Sequence, residues 1–446
     1  LAPRSAQARN NYGAILLRLK RAREAAAEFE ASLSLDPHQA SALVNLAQIR
    51  FAGGTPENLH VAAELFRRAD ALTPDAAIAR ALVVIALKRG DRAQAAENYR
   101  AYATRSKGVS GGVNDGASAA AHVELGGALS EAGLLAEAEA ELKAALALDP
   151  ANAEAVGHLA RVYLARKDFP SAGRTLEAAV ARGITVAPIY ALLAEVYEKS
   201  GHLENAIPAM RLAIQSDPQS EKYRFRYAVL LANADAPAAA VIRLNEALQT
   251  FPKSARLWLA LGMSNFNLGK TDEAIRAFNR AVELDPDLAQ AYAYQGMARV
   301  ALGQSDEAIT FYERALQRDP QLFVIHYLIA DTLLKQTEAD AARIETHLKQ
   351  AIQADKTYVP ARLALGKLYA RTERQAEAIA ELEQVIALDP DLAEAHYHLG
   401  RTYSRLKRAA EAQVSLATFK RLSESQKQQQ QDEQRDIVRR LADVRF

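Results

Sequence analysis

The sequence predicts an all-α fold, a solenoid of about twelve helix–turn–helix units, and three observations carry that reading. Alanine makes up 94 of the 446 residues, and Ala costs least in a helix, while the β-branched runs that favour strands are few. Prolines following Asp or another helix-ending residue fall on a lattice: Pro218, Pro252, Pro286 and Pro320 step by 34, and Pro150 lies two steps before Pro218. Within each step, side-chain size repeats as well. Fixed-period self-similarity of this length is the mark of a repeat architecture.

Taken in order, the units begin near residues 6, 40, 76, 119, 153, 187, 221, 255, 289, 323, 359 and 393. The clearest runs through Trp258, Leu261, Gly262, Gly269, Ala274, Phe278, Ala281 and Pro286. The next repeats it with Tyr292, Gly296, Gly303, Ala308, Tyr312, Ala315 and Pro320. Small residues at the eighth and twentieth positions let two helix backbones approach, and large residues at the fourth, seventh, eleventh and twenty-fourth fill the space between units. Glycines such as Gly90, Gly133 and Gly201 end first helices, and the Pro stops the second because the residue before it avoids the helical region. One such hairpin cannot bury its own apolar face, so stacking is obligatory. The pattern departs in places: Thr55–His60 is expected to lengthen the second unit's turn, and Ile344 replaces the small Ala in the tenth.

A large residue, a Leu-Gly pair, Ala, Phe, Ala and Pro at these spacings resemble the tetratricopeptide repeat family over almost the whole chain. The resemblance implies a right-handed superhelix that binds peptides or protein surfaces in its concave groove. The expected organisation is three repeats over 1–106, a Gly-rich insertion at 107–118, nine repeats over 119–422, and a C-terminal capping helix at 423–446.

Composition narrows function by exclusion. With 55 basic and 54 acidic residues the net charge is +1, far from the basic footprint of a general nucleic-acid binder. No stretch approaches the ~18 apolar residues of a membrane span. There is no cysteine, which removes disulfides, thiolate nucleophiles, zinc–thiolate sites and iron–sulfur clusters. Absence of Cys and the non-Met start at Leu1 lean toward an exported protein. No Walker loop, dinucleotide fingerprint, His-Glu-x-x-His or Gly-x-Ser-x-Gly is present. The nine histidines are scattered, and acid pairs such as Glu137, Glu139 and Glu141 read as a solvated face. No enzyme, cofactor or metal site is expected.

By resemblance, groove-facing residues occupy the second, fifth, sixth, ninth, twelfth and thirteenth positions of each first helix. In the seventh to tenth units these include Phe225, Val229, Leu259, Met263, Phe266, Tyr294, Met297, Val300 and Tyr327, an apolar stripe suited to an apolar partner segment. The competing reading is that the stripe packs first helices together. Further on, the positions turn basic: Lys367, Arg371, Tyr397, Arg401 and Arg405, a candidate patch for an acidic segment or a peptide carboxylate. The Lys-with-Asn clamp of the family's chaperone-binding members has no counterpart among Asn10, Asn11, Asn45 and Arg80. The expected function is a non-catalytic scaffold holding a protein or peptide partner. The alternative is head-to-tail self-assembly, which two different open ends permit.

Overall fold

The computed structural model describes residues 5–106, 117–336 and 340–423. Among these residues are 24 α-helices and no strand, paired into twelve antiparallel hairpins. First helices begin at Ala6, Ala40, Ala76, Ala119, Ala153, Ala187, Glu221, Ala255, Ala289, Phe323, Val359 and Ala393, the starts the lattice predicts. The chain divides into two compact units, Leu1–Pro218 and Gln219–Phe446. Each is a six-repeat helical solenoid in which successive hairpins stack.

Among the described residues, the turn inside eleven of the twelve hairpins is built on one left-handed residue at the fifteenth position. Gly54, Gly90, Gly133, Gly201, Gly269 and Gly303 hold φ between 70° and 81° there. Where the glycine is missing, Lys20, Lys167, Asp235, Glu373 and Lys407 adopt φ of 54° to 63° regardless. The geometry is therefore imposed by the packing of the two helices, and Gly merely adopts it at least cost. Between hairpins the Asp of Asp-Pro does its own work. The carboxylates of Asp36, Asp149, Asp285, Asp319 and Asp389 each accept a hydrogen bond from the backbone N–H two residues on, an Asx turn that redirects the chain into the next repeat.

Within a hairpin, the eighth residue sits under the twenty-fourth. A Cβ on Gly126 would fall 2.7 Å from Leu142 Cγ, and one on Gly366 2.9 Å from Leu382 Cγ. The twentieth-position alanines, from Ala25 through Ala138 and Ala274 to Ala378, are fully buried, and so is their replacement Ile344. These contacts merge into continuous cores, one from Leu16 to Ile85 in the N-terminal unit and one from Leu259 to Ala378 in the C-terminal unit.

Two expectations are corrected. Thr55–His60 does not lengthen a turn. Gly54 and Thr55 make a short one, Thr55 caps the next helix, and the extra residues extend Pro56–Leu72 to 17 residues. Glu141 is not solvated either. It is fully buried, taking a hydrogen bond from the Tyr99 hydroxyl at 2.8 Å and facing His122 Nδ1 at 2.8 Å. Burial and the adjacent carboxylate push the Tyr99 hydroxyl well above its ordinary pKa. Both His122 and Glu141 side chains are 1% exposed, so no solute reaches this cluster. Its role is to join the third and fourth repeats, which also meet through Arg80 Nη2 on the Ala121 carbonyl at 2.6 Å. Residues 107–116 of the expected insertion, and 424–446 of the expected cap, lie outside the described residues.

Candidate protein-binding site

The apolar stripe lies largely inside the packing. Leu259 and Tyr294 are fully buried, with Phe225, Met263 and Met297 between 2% and 8% exposed. Tyr294 stacks on Phe278 of the preceding repeat at 5.5 Å between ring centroids. Burial also lifts its hydroxyl pKa far above the usual tyrosine value. Side chains with so little exposed area belong to the packing between helices, as Tyr294 does against the second helix of the preceding repeat, and in this conformation they offer a partner almost no contact surface. This corrects the reading of these five as an open groove lining. Val229, Phe266, Val300 and Tyr327 are half-buried and leave a thinner apolar edge.

The basic positions behave differently. Arg371, Arg401 and Arg405 are exposed and Lys367 is half-buried. All four line one cavity of about 470 Å³ in the last three repeats, with Asp331 and Lys335 beside them and Leu334 and Leu368 among its apolar walls. The repeat explains the convergence. Asp331 and Lys335, Lys367 and Arg371, and Arg401 and Arg405 are the ninth and thirteenth residues of three successive first helices. Residues four apart share a helix face, so stacking three helices in register brings six charged side chains to one concavity.

Their pairing decides which are available. Lys335 Nζ meets Asp331 at 2.7 Å. Lys367 Nζ meets Glu394 at 2.6 Å, and His398 Nε2 stands 3.6 Å from the same carboxylate. His398, then Lys367, hold the Glu394 carboxyl down to about 2, so it remains an anion and neutralises Lys367. Arg401 Nη1 donates to the Tyr397 hydroxyl at 3.2 Å and lies over that ring at 5.6 Å. Tyr397 itself is braced against Phe419 at 5.1 Å. Arg405 Nη1 donates to the Ala370 carbonyl at 2.6 Å, near the end of the eleventh repeat's first helix. Neither arginine has a carboxylate partner, and Arg371 has no hydrogen-bond or ion-pair partner among the described residues. Three guanidinium groups thus converge with no carboxylate partner among the described residues.

Of the basic residues singled out in the sequence, Lys367, Arg371, Arg401 and Arg405 line this one cavity, while Tyr397 braces Arg401. Sequence reasoning passed over Asp331, Lys335 and His398. Counting the ninth and thirteenth positions one repeat earlier would have found the first two.

A tetratricopeptide repeat profile matches residues 16–77, 80–153, 259–323 and 295–358. The chain belongs to the tetratricopeptide repeat family. Further profiles of the same repeat match 129–196, 185–287, 372–407 and 393–425, so the family assignment extends into both units. No curated protein sequence matches the chain. Among solved structures, this tetratricopeptide repeat protein is similar to yeast Tom70 at 18% identity and a TM-score of 0.48, over 98% of this chain and 95% of that one. A tetratricopeptide repeat protein from Parabacteroides merdae aligns at 20% identity and a TM-score of 0.48, over 56% of this chain and 98% of its own. MamA from Desulfovibrio magneticus aligns at 22% identity and a TM-score of 0.36, over 39% and 97%. At these levels none of them assigns a partner. Among the described residues, no helix is long and apolar enough to cross a membrane, and no group of three or more His, Cys, Asp or Glu is placed to hold a metal ion.

Proposed function

We infer that this chain is a protein-interaction scaffold, as its tetratricopeptide repeats indicate. We propose that this scaffold is non-catalytic and that its last three repeats hold an acidic segment of a partner polypeptide, with Arg371, Arg401 and Arg405 as the contacting cations. The observation that supports this is the convergence of three guanidinium groups on one cavity, none of them with a carboxylate partner among the described residues, since the cavity's Asp331 is paired with Lys335. Such groups bind carboxylates through paired, charge-assisted hydrogen bonds stronger than neutral ones. Lys367 and Lys335 are already paired internally and shape the walls. Two of the three arginines are also oriented before any partner arrives, by Tyr397 and by the Ala370 carbonyl, which lowers the ordering cost of binding.

The test uses a blocked, fluorescein-labelled octapeptide of alternating Asp and Glu, read by fluorescence anisotropy on the full chain. Wild type is expected to bind, at least tenfold more weakly after Arg401→Gln/Arg405→Gln and progressively more weakly with salt. The variant must keep wild-type helicity and melting temperature. Equal binding by variant and wild type, or equal binding of the Asn/Gln analogue of the peptide, would refute the assignment.

A further inference from the structure

The N-terminal unit carries a larger cavity, of about 960 Å³, bounded by the second, third and fourth repeats. Its charges are arranged unlike those of the basic groove. The third repeat's first helix (Ala76–Lys88) contributes Arg80 and Lys88, and the fourth repeat's (Ala119–Glu131) contributes Glu124 and Glu131; Arg92, from the third repeat's second helix, also lines it and gives Nη2 to the Gly133 carbonyl at 2.9 Å. Lys88 and Glu131 are both thirteenth in their repeats, and Arg80 and Glu124 are fifth and sixth. A cation on one helix therefore stands level with a carboxylate on the next, twice, at rungs roughly 10–12 Å apart along the helices at ~1.5 Å per residue.

Opposite charges on adjacent helices ordinarily close on each other, as Lys367 and Glu394 do at 2.6 Å across two repeats. Here they do not. None of the four has an ion-pair partner among the described residues. Lys88 rests over the Phe51 ring at 5.7 Å from its centroid. Arg80 gives Nη2 to the Ala121 carbonyl, while its Nε is enclosed without an acceptor. Between the two charged walls lie Val84, Leu87, Leu125 and Ala128.

We propose that this cavity is a second binding site, separate from the basic groove. Its ligand is an extended polypeptide segment with one acidic and one basic side chain about three residues apart and aliphatic residues between. The acid meets Arg80 and Lys88, the base meets Glu124 and Glu131, and the aliphatic side chains cover the floor. The spacing follows from geometry. Packed helices lie about 8–10 Å apart, and extended chain advances ~3.3 Å per residue, so about three residues cross from one wall to the other. The volume suits such a segment, being at the upper end of the roughly 300–1,000 Å³ of ligand pockets.

The experiment uses full-length chain carrying Arg371→Gln/Arg401→Gln/Arg405→Gln, so that the basic groove contributes nothing. Probes are blocked, fluorescein-labelled Gly-Gly-Glu-Leu-Leu-Lys-Gly-Gly, its reverse order, and versions with Gln for both charges or Glu for both, read by anisotropy. One order of the Glu/Lys peptide is expected to bind at least tenfold more tightly than the Gln version. Glu124→Lys/Glu131→Lys is expected to reverse the preference, binding the double-Glu peptide better than the Glu/Lys one, which a merely unfolded variant cannot do. Binding insensitive to the peptide charges, an unchanged preference after the reversal, or no saturable binding of either order would overturn the proposal.

Discussion

Gly262 offers the sharpest test of how the hairpins are packed. A Cβ added there falls 3.0 Å from Phe278 Cζ and closer still to Cε1 and Cδ1. Phe278 is fully buried, so the ring has nowhere to swing. Gly262→Ala gains about 1 kcal/mol of helix propensity and meets an overpacking cost of about 1–3 kcal/mol, leaving a net loss of about 1 kcal/mol. Gly157→Ala is the control. Its Cβ meets Leu192 Cδ1 at 3.6 Å, ordinary contact, so this substitution should stabilise by up to ~1 kcal/mol. The same chemical change thus has opposite signs at two helix-interior glycines. The remedy is visible in the chain itself: the fifth and seventh repeats place Ala160 under Leu176 and Ala228 under Leu244, all buried. Phe278→Leu should therefore offset the cost of Gly262→Ala, with a coupling of about 1 kcal/mol in a double-mutant cycle. Urea denaturation followed by circular dichroism gives the energies. Hydrogen exchange over Thr271–Leu284 localises them, since long arrays need not unfold in one step. If Gly262→Ala stabilises as Gly157→Ala does, the Gly–aromatic contact does not set the helix spacing and the packing argument fails.

Two further predictions concern a turn and a histidine pair. Glu373 sits at φ 63° just past a helix end, where a non-Gly residue is strained and a carboxylate opposes the helix dipole; Glu373→Gly should stabilise by about 1 kcal/mol in the same denaturation assay. His326 and His347 face each other at 3.0 Å between Nδ1 atoms. Burial, then His347, holds His326 down at about 4, while burial, then Arg343, lowers His347. Both titrate near 6.5 when unfolded, so below that pH the unfolded chain binds more protons. Stability should fall as pH drops from about 6.5 toward 4, by on the order of 1–2 kcal/mol once solvent contact of the half-exposed rings is allowed for. Denaturation midpoints at pH 7 and 5 check this, and His326→Phe should flatten the difference.

The hairpins were legible in the sequence because their signals are local. A Gly under a large residue sixteen positions on, a left-handed turn residue and an Asp-Pro stop all act within one repeat, and each predicted start coincides with a helix. The longer second helix of repeat 2 was missed because Thr55-Pro56 reads as turn chemistry, yet the same pair also caps and opens a helix. Glu141 was missed because its partners, Tyr99 and His122, lie 42 and 19 residues away, beyond any local pattern.

The groove was only half legible, and the ninth position shows why. Along the C-terminal unit it reads Val229, Met263, Met297, Asp331, Lys367 and Arg401. Register alone makes all six equivalent, and family resemblance assigns all six to the concave face. Neighbouring first helices nonetheless approach closely enough to cover apolar side chains there, gaining transfer free energy from each. Burying a charge unpaired would cost far more, so Lys367 and Asp331 stay at the surface within ion pairs, and Arg401 stays exposed. One repeat position thus serves as core in the eighth and ninth repeats, as an ion-paired side chain in the eleventh and as an exposed charge in the twelfth. Residue chemistry, applied after the lattice is drawn, separates the two: at this position the methionines are covered by packing, while the charges are held in ion pairs or stay exposed.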